Sequence, residues 1–349
     1  MRRFGMILPA TLLGLLLTAG PTLACGGLIG PNGAVNLLRT TTFAGYHNGM
    51  EHYITAFQFA GGGGAFGSIT PLPAVPTSVE KGGDWTLQRL IRETSPQLLF
   101  AADSVRAAAS GGAEEIMKVR IDALDITVLR GGAADIGTWA SEHGFRLPPD
   151  APEVLDFYAA RSQIFLAAAF DADAAAARGQ QVGDGTSVHI TIPTENPWVP
   201  LRILALGKTG SERVDADVFL LTDNAPALLP APIGTNGIRL DHSAGASQSL
   251  LDDLRSDRGM AWVPTSAWLT KVAVDSSASG LSYDLAIDAS GAGAPSRVDA
   301  GLALPGGPSA APGADVTRLL LAVLFSLMGV AGIYLMTRFR PSGRDRLIG

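Results

Sequence analysis

The 349-residue chain sets 26 Lys and Arg against 32 Asp and Glu, a formal net charge of −6, with 47% hydrophobic residues and one cysteine. That apolar content excludes a disordered chain, and 42 Gly with 22 Pro in no fixed period exclude a collagen-like one. A single cysteine excludes an internal disulfide framework and a Cys-rich zinc centre.

Residues 1–24 read as a signal peptide. Arg2 and Arg3 precede an apolar run over 4–17, and Thr22 and Ala24 place small residues three and one before a cleavage point. Pro9 and Gly20-Pro21 interrupt that run, which is too short to span a bilayer. Cleavage leaves Cys25 as the first residue. Thr22 and Leu23 stand where a lipobox wants Leu and a small residue. The alternatives for Cys25 are lipidation, an intermolecular disulfide or an unmodified thiol.

Residues 25–305 are expected to form one extracytoplasmic domain. Strands over 35–47 and 50–59 flank Asn48-Gly49, the strongest short hairpin signal. A two-residue turn there pairs His47 with Met50, Tyr46 with Glu51 and Gly45 with His52. Leu38, Tyr46, Tyr53, Phe57 and Phe59 then share one face, the expected core side. Gly61 to Gly64 breaks the strand. A strand over 65–70 runs into an extended Pro-rich stretch over 71–76. Asp84 is the expected N-cap of a helix over 85–94, with Leu87, Leu90 and Ile91 at helical spacing. One or two strands over 116–129 precede helices over 133–143, stopped by Gly144, and 151–161, with Pro152 in the first turn. Strands are expected over 163–170, 187–192, 199–206 and 214–222. A Pro- and Gly-rich loop follows over 224–237, then a helix over 247–255 and strands over 267–274 and 281–287. Strict β–α alternation is absent, which argues an α+β class built of antiparallel hairpins with a few short helices. The five tryptophans are most simply core residues.

Residues 306–316 read as a Pro/Gly/Ala linker. Residues 319–336 are uncharged and mostly apolar, and with their flanks they predict one transmembrane helix over 317–337. Arg338, Arg340, Arg344 and Arg346 follow in a basic tail over 338–349, which the positive-inside rule puts in the cytoplasm. The expected topology is a single-pass cell-membrane protein held by the lipid bilayer, with its N-terminal domain outside. Without Arg2 and Arg3, and without five Arg and one Asp of the C-terminal segments, the outer domain carries a net −12. That sign repels phosphate backbones, so a nucleic-acid partner is not expected.

The sequence assigns no catalytic and no cofactor-binding residue. His47 and His52 fall on one hairpin face at diagonal positions, about 7–8 Å apart between Cα atoms. They are the candidate ligands of a divalent metal, against the plainer reading of two surface or half-buried histidines. Two ligands without a third make a weak site, and Asn48-Gly49 forbids the helix of an H-x-x-E-H protease motif. Asp241-His242-Ser243 are too close in sequence for a relay, and no G-x-S-x-G elbow accompanies them. Asp171 with Asp173, and Asp215 with Asp217, lack the spacing of a calcium loop.

Several segments together resemble a known family. They are Cys25-Gly26-Gly27, the run Phe66-Gly67-Ser68-Ile69-Thr70-Pro71-Leu72-Pro73, and Trp139 with His143-Gly144-Phe145. Val154-Leu155-Asp156-Phe157-Tyr158 and Pro200-Leu201-Arg202-Ile203 complete the set. Over roughly residues 25–290 the chain resembles the bacterial domain of unknown function 2330 family. The resemblance implies a signal peptide, a mature Cys-Gly-Gly start and a C-terminal membrane span, and it supplies no catalytic residue. Family members often carry a second cysteine soon after Cys-Gly-Gly; here Leu28-Ile29-Gly30 stands in that region. The expected role is a non-enzymatic binding module with an envelope protein partner. The alternatives are a metal-assisted hydrolase using His47 and His52, and a structural subunit of an envelope complex.

Overall fold

The structure, a computed structural model, describes residues 27–31, 33–34, 40–58, 66–94, 115–179 and 185–305. The chain divides into two units, 1–304 and 305–349, and apart from Pro305 every described residue belongs to the first. Residues 1–24, Cys25, the run Gly61 to Gly64 and residues 306–349 lie outside the described residues. Among the described residues no helix is long and apolar enough to cross a membrane.

In chain order the strands and helices are β1 (Gly27–Gly30), β2 (Gly33–Ala34), β3 (Thr40–His47), β4 (Met50–Gln58), β5 (Phe66–Leu72), β6 (Ser78–Lys81) and α1 (Thr86–Thr94). Then come β7 (Glu115–Ile121), β8 (Leu124–Arg130), α2 (Ala133–Glu142), α3 (Ala151–Ala159), β9 (Ile164–Phe170) and α4 (Ala172–Ala176). The last group is β10 (Gly185–Pro193), β11 (Trp198–Val199), β12 (Arg213–Thr222), β13 (Ala227–Leu229), β14 (Ile238–Gly245), α5 (Gln248–Ser256), β15 (Trp268–Ser277) and β16 (Leu285–Asp288). The domain is β-rich with a few short helices, as the α+β reading expected.

Three sheets carry the fold. A six-stranded sheet runs β2-β1-β5-β9-β8-β7, a seven-stranded sheet runs β14-β15-β12-β3-β4-β10-β6, and a small one runs β11-β16-β13. Among the described residues every strand pairing is antiparallel except β3 with β12, which is parallel and matches Thr40 with Ala216 through Tyr46 with Thr222. That pairing joins segments more than 170 residues apart, which a reading from local hairpins does not reach.

The hairpin at Asn48-Gly49 has the expected register, with His47 opposite Met50, Tyr46 opposite Glu51 and Gly45 opposite His52. Asn48 and Gly49 both take positive φ, 52° and 76°, as a type I′ turn requires. The hairpin buries both faces rather than one. On one side Ala44 and Tyr53 join a large core that includes both larger sheets, α2 and α3. On the other side Phe43 and Ile54 join a second core closed by Leu87 and Leu90 of α1 and Leu250, Leu251 and Leu254 of α5.

Three local expectations are corrected. Strand β5 runs through Pro71, whose Cα partner is Phe165 on β9, while pairing with β1 stops at Ile69. A proline fits where one side of the ladder is unused. Residues 199–206 are not a strand: β11 ends at Val199 and a 3-10 turn spans Arg202–Ala205. Pro200 offers no N–H, and the next three amides are taken by buried side chains. Leu201 and Arg202 donate to Asp284 Oδ1 (2.7 and 3.0 Å) and Ile203 donates to the Tyr158 hydroxyl (2.8 Å). Helix α1 begins one residue late. Its entry is held by Asp257, which accepts from the amides of Asp84 (3.0 Å) and Trp85 (3.2 Å) and from the Thr86 hydroxyl (2.7 Å). Trp85 consequently sits at the surface, 37% exposed, outside the core expected for it.

Candidate functional site

Three of the titratable groups most displaced from ordinary behaviour, Glu51, His52 and His189, lie on β4 and its neighbour β10. Alternation along the strand sends Glu51 and His52 to opposite faces, one into each core. Each is therefore desolvated.

His52 is 8% exposed and His189, on β10, is 5% exposed. His52 pairs with Thr191 and His189 with Ile54, so the two imidazoles are diagonal neighbours on one face of the β4–β10 ladder. His52 Nδ1 lies 3.0 Å from His189 Nε2, one ring donating and the other accepting. The Trp262 indole lies flat on His52, with ring centroids 3.8 Å apart and planes 2° from parallel. A Cβ at Gly45, the cross-strand partner of His52, would overlap the Trp262 ring, so glycine is what lets the indole settle there. At Gly259, where φ is +74°, a Cβ would come within 2.9 Å of His189 Nδ1. The loop from Asp257 to Val263 thus covers both imidazoles. Burial lowers His189 to about 4. It lowers His52 to about 3, with His189 and then His47 adding to the effect. Both rings are neutral at physiological pH.

Glu51 is 0% exposed. Burial raises its pKa to about 8, opposed only by a backbone hydrogen bond from Trp198. The group is a neutral acid at pH 7.

A second buried cluster centres on Asp284, also 0% exposed. Its Oδ1 accepts from the Tyr158 hydroxyl (2.8 Å) and from two amides, and its Oδ2 meets the Arg161 guanidinium at 2.5 Å. Burial pushes its carboxyl up, against Arg161 and the other donors. Arg161 also lies over the rings of Phe157, Tyr158 and Trp198. This network pins α3 to the 3-10 turn and β16, and every donor in it has a structural partner.

The predicted site residues are distributed as follows. His47 and His52 share a hairpin face, but each has another partner: His47 Nδ1 meets Asp223 Oδ1 at 2.7 Å, while His52 pairs with His189. Among the described residues no three His, Cys, Asp or Glu side chains converge as a metal cage. Asp241, His242 and Ser243 lie on the edge strand β14. There Asp241 pairs with Arg239 (2.7 Å) and Lys271 (3.7 Å), and the Ser243 hydroxyl accepts from the Trp268 indole (2.9 Å). Asp171 caps α4 and pairs with Arg120, and Asp215 pairs with Arg213. His189 was missed from sequence because its link to His52 depends on a pairing across 137 residues. The available signal was the alternation in Ser187 to Ile192, which sets His189 on the face opposite Val188 and Ile190.

The family model "Uncharacterized protein conserved in bacteria (DUF2330)" matches residues 21–285, and the chain belongs to that family. No curated protein matches the chain. Among solved structures it is similar to a mutated baculovirus P35 after caspase cleavage, at 9% identity and a TM-score of 0.37, covering 71% of this chain and 98% of that one. It is also similar to the caspase-8/P35 complex, at 8% identity and a TM-score of 0.36, covering 71% and 95%.

Proposed function

We propose that this DUF2330 protein is a membrane-anchored extracytoplasmic module of the bacterial cell envelope that works by binding a partner protein rather than by catalysis. The leader over 1–24, the linker over 306–316, the span over 317–337 and the basic tail over 338–349 support the anchoring. The net charge of −12 on the outer domain favours partners other than nucleic acid or anionic lipid.

One observation carries the non-enzymatic reading. The described groups with the most perturbed protonation, Glu51, His52, His189, Tyr158 and Asp284, are all buried among packed side chains. Catalytic groups of this kind need substrate within hydrogen-bond reach. A metal-assisted hydrolase using His47 and His52 would require His47 to leave Asp223 and His52 to leave His189.

The test is cross-linking in intact cells, followed by purification through a C-terminal tag. A specific envelope protein cross-linked to the wild type, and equally to a His47→Ala/His52→Ala double variant, is the expected result. Loss of a measurable hydrolytic turnover in that double variant, with no cross-linked partner, would overturn the reading.

A further inference from the structure

We propose that His52 and His189 form a two-imidazole site for a single divalent transition cation of the imidazole-preferring kind, Zn2+ or Cu2+, roofed by Trp262. It is separate from partner binding. It also differs from the His47/His52 pair that the sequence suggests, because the ligand on β10 replaces the one on β3.

The geometry is that of a chelate holding a proton in place of a metal. Two nitrogens from different strands converge to 3.0 Å. Zinc–imidazole bonds of about 2.0–2.1 Å at a tetrahedral angle place their nitrogens about 3.3 Å apart. The nitrogens need to separate by only a few tenths of an ångström, and the two rings to turn so that both lone pairs meet at a cation beside the line joining them. The donor ring exchanges its shared N–H for the cation by moving that proton to its other nitrogen, so no net proton is lost. Both residues retain slight exposure, 8% and 5%, and Trp262, which stacks on His52, is half-buried. Its indole N–H has no hydrogen-bond partner among the described residues. With no third protein ligand at hand among the described residues, the remaining coordination positions fall to water admitted past the half-buried Trp262.

His47 serves as the internal control. It is engaged by Asp223 and lies on the same face, so a site on the hairpin alone would need it and this one does not.

The experiment is titration of the chelator-stripped full chain with ZnCl2 and CuSO4, followed by native mass spectrometry and tryptophan fluorescence. One cation per chain is expected, with Cu2+ quenching an emission component that is missing in Trp262→Phe. His52→Gln and His189→Gln should each weaken binding by more than about tenfold, since even outer partners of metal ligands are worth 10–100-fold. His47→Gln should bind as the wild type does. Absence of stoichiometric binding, binding indifferent to His189→Gln, or loss of binding in His47→Gln would each overturn the proposal. If a glutamine variant fails to fold, the wild type still decides: bound metal without quenching of Trp262 places the cation elsewhere and refutes the site.

Discussion

A carboxylic acid buried in a protein core with no ion-pair partner among the described residues gives the folded state a strong preference for one protonation state. Glu51 titrates near 8 when folded and near 4.5 when unfolded, because burial penalises its charged form. Between those two values the folded chain binds the proton and the unfolded chain releases it, so stability falls as pH rises. The contribution is complete below about pH 4.5 and is lost by the time pH has passed 8. At about 1.4 kcal/mol per unit, the swing amounts to a few kcal/mol. Glu51→Gln removes the titration. In chelator-treated protein, denaturant melts of this variant should show a flatter pH profile between 4.5 and 8 than the wild type. An unchanged slope would mean that Glu51 is solvated. Asp284 behaves differently, because it is ion-paired with Arg161 and accepts from three neutral donors. Asp284→Ala strands the Arg161 guanidinium inside the core and should cost about 3–5 kcal/mol. An Arg161→Met/Asp284→Leu pair should cost less than the two single changes summed, which a double-mutant cycle measures.

At the scale of elements, the chain was most legible where structure is local. The Asn48-Gly49 turn fixed its own register, Gly144 stopped α2 and Pro152 opened α3. Legibility failed where a distant residue supplies what a local one was expected to supply. Asp84 was the natural cap of α1, yet Asp257, 173 positions on, accepts its amide. Residues 199–206 have strand composition, yet Asp284 and Tyr158 capture their amides and wind them into a turn. The candidate site shows the same division, for His52 was found and its partner was not. Asp257→Ala removes the acceptor for two helix-entry amides and the Thr86 hydroxyl, and should destabilise by about 1–3 kcal/mol. Hydrogen exchange should accelerate in α1 first; uniform acceleration across the domain would show that the cap is not local. Gly45→Ala should force Trp262 off His52, seen as a change in tryptophan emission and a stability loss of about 1–3 kcal/mol. An unaltered spectrum would contradict the stacked arrangement.

At the scale of the whole molecule, two cores on either side of one seven-stranded sheet hold the domain together without an internal disulfide, which a single cysteine cannot form. The same double covering keeps Glu51, His52 and His189 almost entirely from solvent, and the proposed binding role is accordingly placed on the outer surface. The proposal depends on that surface being outside the cell and tethered to its membrane. Limited proteolysis of intact spheroplasts, followed with an epitope after Gly349, tests this most directly. Cleavage in the 306–316 linker is predicted to release the folded domain into the medium while the epitope stays with the membrane, protected until lysis. A chain that resists cleavage until lysis and then separates into the soluble fraction would contradict the account.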